Sequence, residues 1–295
     1  MISEISGIDS SFEIPDALWN QIFPLLVHKP KRKKKKKTGR PRMDDRKAMN
    51  AIFYIARTGC QWKALPRSLG ASSTVHDRFQ QWIKDGIFKQ MWIDGLKLYD
   101  EKIGINWKWQ SMDGAITKAP LGGKSTGPNP TDRSKSGTKR SLLVEGQGIP
   151  IGIAVDGANR HDMKMTKATL QSIVVCRPRP QPSSSSSTAN TQQQHICLDK
   201  GYDYPEVYEL LEEYGYTMHI CKRGGKEYNN GNKKKKRRRK IPKYRARRWV
   251  VERTHSWMNR FRRLLIRWEK KEDNYIAILH FVCAWITYKR GGVFG

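Results

Sequence analysis

Two acidic residues in this sequence close apolar segments of strand character, Asp113 at the end of KWQSMD (108–113) and Asp199 at the end of HICLD (195–199). A soluble chain more often turns after a buried strand with Gly or Asn. If the two strands are neighbours, their carboxylates converge and repel one another unless a cation lies between them. Hard oxygen donors of this kind suit Mg²⁺ or Mn²⁺. A third acid, Glu252, stands in RRWVVERTHSWMNRFRRLLIRW (247–268), read as one arginine-rich helix with Trp249, Val250, Trp257, Leu264 and Leu265 making apolar contacts. By composition alone Glu252 is better explained as a surface acid paired at i, i+4 with Arg248 or Ser256. Three other features take plain readings. Asp162 suits the N-cap of a helix starting at Met163. Lys118 and Lys200 read as surface lysines, and GGKST (122–126) fails as a phosphate loop because Lys118 stands where its first glycine belongs.

The acids need strands to hold them, and from about residue 108 the pattern supplies them: KWQSMD (108–113), SLLVE (141–145), IPIGIAVDG (149–157), HICLD (195–199) and TMHIC (217–221). Helices are expected at Met163 to Val174 and Tyr204 to Tyr214. A short turn at Gly146-Gln147-Gly148 makes the first strands antiparallel. The order β-β-β-α-β-α-β-α is that of the RNase H-like fold, an α/β class with a mixed five-stranded sheet and flanking helices. There the first strand and HICLD run parallel side by side, and ligands bind beyond the carboxyl ends of such strands.

The N-terminal third reads as all-α. Helical spacing runs over Asp16 to Leu26 and Asp44 to Thr58, the latter stopped by Gly59. ALPRSLGASSTVHDRFQQWIKDGIF (64–88) then predicts a helix, a small-residue turn and a Ser-capped second helix, a helix-turn-helix whose second helix would enter the DNA major groove. Arg40 and Arg42 in GRPR, with His76 and Arg78 at the exposed start of that helix, are its DNA-binding candidates. The expected division is a helical DNA-binding domain over 1–100, able to bind DNA by itself, and a catalytic domain over 101–295. Low-complexity loops are expected at 31–37, near 177–194 and near 226–243, all solvated.

A formal charge of +30 on 295 residues favours a polyanionic partner. Because the cations lie along the whole chain rather than on one amphipathic helix, membrane attachment is the weaker reading. The N-terminal MISEISGIDSSFEIPD has neither a basic nor an apolar signal region, so a cytoplasmic protein is expected, nucleoid-associated in a prokaryote. Cys60, Cys176, Cys197, Cys221 and Cys283 are scattered and read as reduced thiols. The apolar YIAILHFVCAWITY (275–288) is too short for a bilayer and predicts a buried terminal helix.

Several stretches in order give a resemblance: TGCQWKALP (58–66), VHDRFQQWIKDG (75–86), SMDGAITKAP (111–120), GANRHD (157–162), LDKGYD (198–203) and RWVVERTHSWMNRFRRL (248–264). Over nearly its whole length the chain resembles the transposases of the insertion sequence five group, in the DDE superfamily with an RNase H-like catalytic domain. The resemblance implies Asp113, Asp199 and Glu252 as catalytic acids holding two Mg²⁺ (or Mn²⁺) ions about 4 Å apart. It also implies double-stranded DNA partners, terminal inverted repeats and target, and a homodimer in the active complex. A Tyr-x-x-Arg-x-x-x-Glu-x-x-x-x-x-x-Lys signature is met at Arg248, a DNA-binding candidate, and departed from at Arg245, with Tyr244 one residue early, and at Asn259, where Arg253 or Arg260 would replace the lysine as DNA contacts. Two alternatives stand beside this, an inactive sequence-specific DNA-binding protein on the same scaffold and a basic nucleic-acid packaging protein.

Overall fold

The computed structural model describes residues 10–27, 41–178, 193–220 and 247–294. Outside the described residues lie Arg40, Cys221, Tyr244, Arg245, the lysine run at 31–37, residues 179–192 of the Ser-rich stretch and all of 226–243.

The N-terminal region is helical: α1 (Asp16–Val27), α2 (Asp45–Thr58), α3 (Ser72–Lys84) and α4 (Ile87–Lys102). Asp44 caps α2 by accepting from the Lys47 amide at 2.9 Å, and Gly59 ends it in the left-handed region at φ 72°. The expected first helix of the helix-turn-helix is instead two 3-10 turns, Trp62–Ala64 and Arg67–Leu69. Pro66 between them lacks the N–H that a continuous helix would need. The N-cap of α3 is Ala71 with no side-chain bond, so the expected serine cap is absent and the helix pair is α2 with α3.

Next come β1 (Trp109–Lys118), the two-residue β2 (Gly127–Pro128), β3 (Ser136–Glu145), β4 (Pro150–Gly157), α5 (Asp162–Gln171), β5 (Gln194–Leu198), α6 (Pro205–Glu213), β6 (Tyr216–Ile220), α7 (Trp249–Asn259) and α8 (Glu272–Arg290). The strand order is β4-β3-β1-β5-β6, with β2 added on β3. The pairs β1/β3 and β3/β4 are antiparallel, whereas β1/β5 and β5/β6 are parallel. This is the RNase H-like arrangement, with β2 as a sixth strand beyond the five expected. Asp113 does not end β1, which runs on to Lys118 along β3. The arginine-rich segment is not one helix either: α7 stops at Asn259 and a 3-10 turn follows at Arg262–Leu264.

Apolar residues on every side of α8 explain its burial, since such a helix leaves no face for water. It packs along α4 and touches α3, α7 and β4. Phe53 of α2 stacks on Trp285 at 4.3 Å, Phe88 of α4 meets Phe281 at 5.6 Å, and the Trp92 indole N–H donates to the Pro150 carbonyl at 3.0 Å. A single hydrophobic cluster therefore runs through residue 100, joining the helical region to the sheet. No disulfide joins the described cysteines Cys60, Cys176, Cys197 and Cys283. No helix among the described residues is long and apolar enough to cross a membrane.

Candidate active site

Parallel pairing of β1 with β5 matches Trp109 to His195 and Ser111 to Cys197. Two residues further come Asp113, still within β1, and Asp199, just past the end of β5. The pairing thus carries both acids toward the same end of the two strands, and the charge of Asp199 is felt at Asp113. Each has one oxygen engaged. Asp113 Oδ1 accepts from the Gly114 amide at 2.8 Å. Asp199 Oδ1 accepts from the Gly201 amide and caps the 3-10 turn Lys200–Tyr202, so Asp199 does form a turn. Its other oxygen lies 4.0 Å from Arg248 Nη1.

Glu252 reaches this face because α7 is tied down along its length. The Ser111 hydroxyl donates to the Arg247 carbonyl at 3.1 Å, and the Thr254 hydroxyl donates to the Gly148 carbonyl at 2.6 Å. At the far end Arg140, 2% exposed on β3, donates from Nη2 to Asn259 Oδ1 at 2.6 Å. Asn259, at the position of the lysine in the signature, thus accepts from a buried arginine. Replacement by Arg253 or Arg260 was expected there. Arg253 is committed to the Gln147 carbonyl, and Arg260 ends α7.

Asp113 records the company it keeps. Burial raises its carboxyl to about 6 against the pull of the Gly114 amide, and the charges of Asp199, Asp162 and Glu252 push the same way. Asp162 is a fourth acid, overlooked as a helix cap. The cap of α5 is in fact His161, whose Nδ1 accepts from the Met163 amide at 3.4 Å. Asp162 instead pairs with Lys139 at 3.1 Å and lies directly over Gly114, where any Cβ would collide with its carboxylate. The glycine after Asp113 in SMDGA was the available signal, since a glycine inside a strand marks close approach. For Arg140 the sequence offered none.

Among the described residues no three His, Cys, Asp or Glu side chains close a metal cage. The acids meet through charge rather than at ligand distance. Their chemistry still fits a hard divalent cation, being all oxygen, with the half-buried Asp113 short of positive charge.

The other candidates scatter. Arg42 is exposed near Gln81 and Asp45, and His76 packs edge-on against Trp62 at 4.9 Å. Arg78 is a correction: 5% exposed, it is buried against Asp45, donates to the Met43 carbonyl at 3.2 Å and lies over Trp82. Its guanidinium holds α3 to the start of α2 and cannot face DNA. Trp249 and Leu265, expected to pack, are 55% and 47% exposed.

Residues 14–92 match the family described as "Putative transposase of IS4/5 family", and residues 110–286 match the transposase DDE domain. A protein of Burkholderia cepacia described as a "Putative transposase for insertion sequence element IS402" is 33% identical over 172 residues, covering 57% of this chain and 72% of that protein. A 16.2 kDa protein of the same insertion element is 29% identical over 122 residues, covering 40% of this chain and 80% of its own length. A solved Mos1 mariner paired end complex with Mn overlaps 95% of this chain and 89% of its own at 11% identity, with a TM-score of 0.26 too low to bear on the fold. With the DDE domain spanning more than half its length, the chain belongs to the insertion-sequence transposases of the DDE superfamily.

Proposed function

We propose that this transposase binds the terminal inverted repeats of its element as a homodimer, cuts the DNA at the element's ends and joins the freed 3′-hydroxyl to target DNA. Asp113, Asp199 and Glu252 would hold Mg²⁺ or Mn²⁺, in two ions. Bound there, the metal would activate a water or 3′-hydroxyl and stabilise the leaving oxygen. The chain's own part is positional. β1 and β5 carry two carboxylates toward one end of the sheet, and the ties on α7 bring the third. Arg248, beside Asp199, offsets part of the carboxylate charge. The work would take place where the cell keeps its DNA, the cytoplasm of a prokaryote. The observation that carries the reading is the parallel pairing of β1 with β5, which carries Asp113 and Asp199 to one end of the sheet, with α7 and its Glu252 bonded alongside.

Strand cleavage on transposon-end DNA with Mg²⁺, run beside a mobility-shift assay, tests it. Asp113→Asn, Asp199→Asn and Glu252→Gln should each abolish cutting and leave binding intact. Wild-type cutting by Asp199→Asn would remove that residue from the site. The Arg140–Asn259 bond favours a second reading, an inactive DNA-binding protein on this scaffold, because no lysine stands at that position. Wild-type protein that binds repeat ends and never nicks them would establish it.

A further inference from the structure

Trp249, Arg253 and Trp257 stand at i, i+4 and i+8 on α7, one stripe of the helix that also carries Glu252. Arg253 lies between the two indoles, its guanidinium carbon 4.8 Å from the Trp249 ring and 4.7 Å from that of Trp257. Arg290 of α8 covers Trp257 at 4.2 Å. The stack is held in place, because Arg253 also donates to the Gln147 carbonyl in the β3–β4 turn. Trp249, at its open end, is 55% exposed. Past Trp257 the stripe runs into a cavity of about 530 Å³ whose lining sets Arg57, Arg260, Lys289 and Arg290 against one acid, Glu13. Crowding shows among these cations: Arg260 helps burial lower Arg57, and Arg290 helps burial lower Arg253.

We propose that this aromatic and cationic stripe binds unpaired nucleotides of a DNA strand, with a base on the Trp249 indole and the backbone phosphates led toward Arg260 and Arg57. The inference rests on the transposase reading and adds to it a single-strand site beside the acids. Three features select this occupant. The part of the Trp249 indole left exposed beside Arg253 offers a platform on which an unpaired base can stack, whereas duplex DNA hides its base faces in its own stack. Four basic groups around one cavity match phosphates rather than a neutral apolar partner. Glu252 is three residues from Trp249, within one turn of α7, so a strand held on the stripe runs past the acids.

Binding of fluorescent oligonucleotides to the full chain, single-stranded and duplex repeat-end DNA in parallel at one salt concentration, tests the assignment. Trp249→Ala should weaken single-strand binding about tenfold and duplex binding less than twofold. Trp249→Phe, which keeps a π-face, should recover most of the loss. Because Trp249 is exposed, an unchanged melting temperature is expected for both. Equal single-strand affinity in wild type and Trp249→Ala overturns the proposal while leaving the transposase reading intact. So does a dimer that dissociates in Trp249→Ala with no change in DNA affinity, which would make the stripe a contact between copies. Wild-type protein that binds neither DNA form fails the transposase reading itself.

Discussion

Removing everything after residue 100 should leave a fragment that does not fold. The helices of that fragment bury large side chains against residues about 190 to 230 positions away. Phe53 stacks on Trp285 at 4.3 Å and meets Phe261 and Phe281, each at 6.1 Å. Phe88 packs on Phe281, and Trp92 packs on His280 while its N–H donates to the Pro150 carbonyl. Burying one such side chain stabilises by about 1.5–3 kcal/mol, so these three together are worth roughly 5–9 kcal/mol. The lost Trp92 hydrogen bond adds about 1 kcal/mol. A domain is stable by only about 5–15 kcal/mol in total, and a fragment of this size sits at the low end. Circular dichroism and urea titration of residues 1–100 should therefore show weak helicity without a cooperative transition, and the fragment should not shift repeat DNA. A sharp unfolding transition, or repeat-specific binding by the fragment, would refute the reasoning and restore the independent domain expected from helical pattern alone.

Four further outcomes are expected. Asn259→Lys, which supplies the lysine of the family signature, should destabilise rather than improve the protein: it removes the acceptor of the buried Arg140 and sets a like charge nearby, at a cost of about 2 kcal/mol in urea denaturation. Stability should also fall on acidification, because burial depresses His280 to about 4 and His255 to about 3, below the unfolded value near 6.5. Both are neutral in the folded chain, so nothing is lost above pH 6.5. By pH 5 the unfolded state has taken up protons that the folded state refuses, worth about 2 kcal/mol for each histidine. Asp113, raised to about 6, works in the opposite direction and returns about 1.4 kcal/mol, leaving a net loss of about 2–3 kcal/mol to be read from urea midpoints at pH 7 and pH 5. Deleting residues 181–193, which the sequence alone reads as a solvated low-complexity stretch, should change stability by less than about 1 kcal/mol, since loop closure depends only logarithmically on length. Finally, Arg177→Ala should cost about 2 kcal/mol in the same assay, as Arg177 bonds Gln194 at 2.6 Å and covers the Tyr216 ring at 3.7 Å.

What the sequence determined by itself was whatever depends on neighbours along the chain. Two-residue alternation marked the strands, and the order of strands and helices put HICLD beside KWQSMD. That adjacency alone carried Asp113 and Asp199 toward the same end of the two strands. The all-apolar 275–288 segment had to be interior, and α8 is. Helix 247–268 was overextended because arginine, tryptophan and leucine are all compatible with a helix, and nothing local marks the break after Asn259. Tertiary structure decided the rest through contacts across long stretches of chain. Arg78 looked like a groove-facing cation until Asp45, from the previous helix, claimed it. Trp249 looked like core and is left on the surface at the start of α7. The helix carrying Glu252 is held by bonds with Ser111, Gly148 and Arg140 that span 136, 106 and 119 residues of chain. The charge of an acid is written in its residue type, whereas its company is set by which distant backbones and side chains the packed sheet brings within reach.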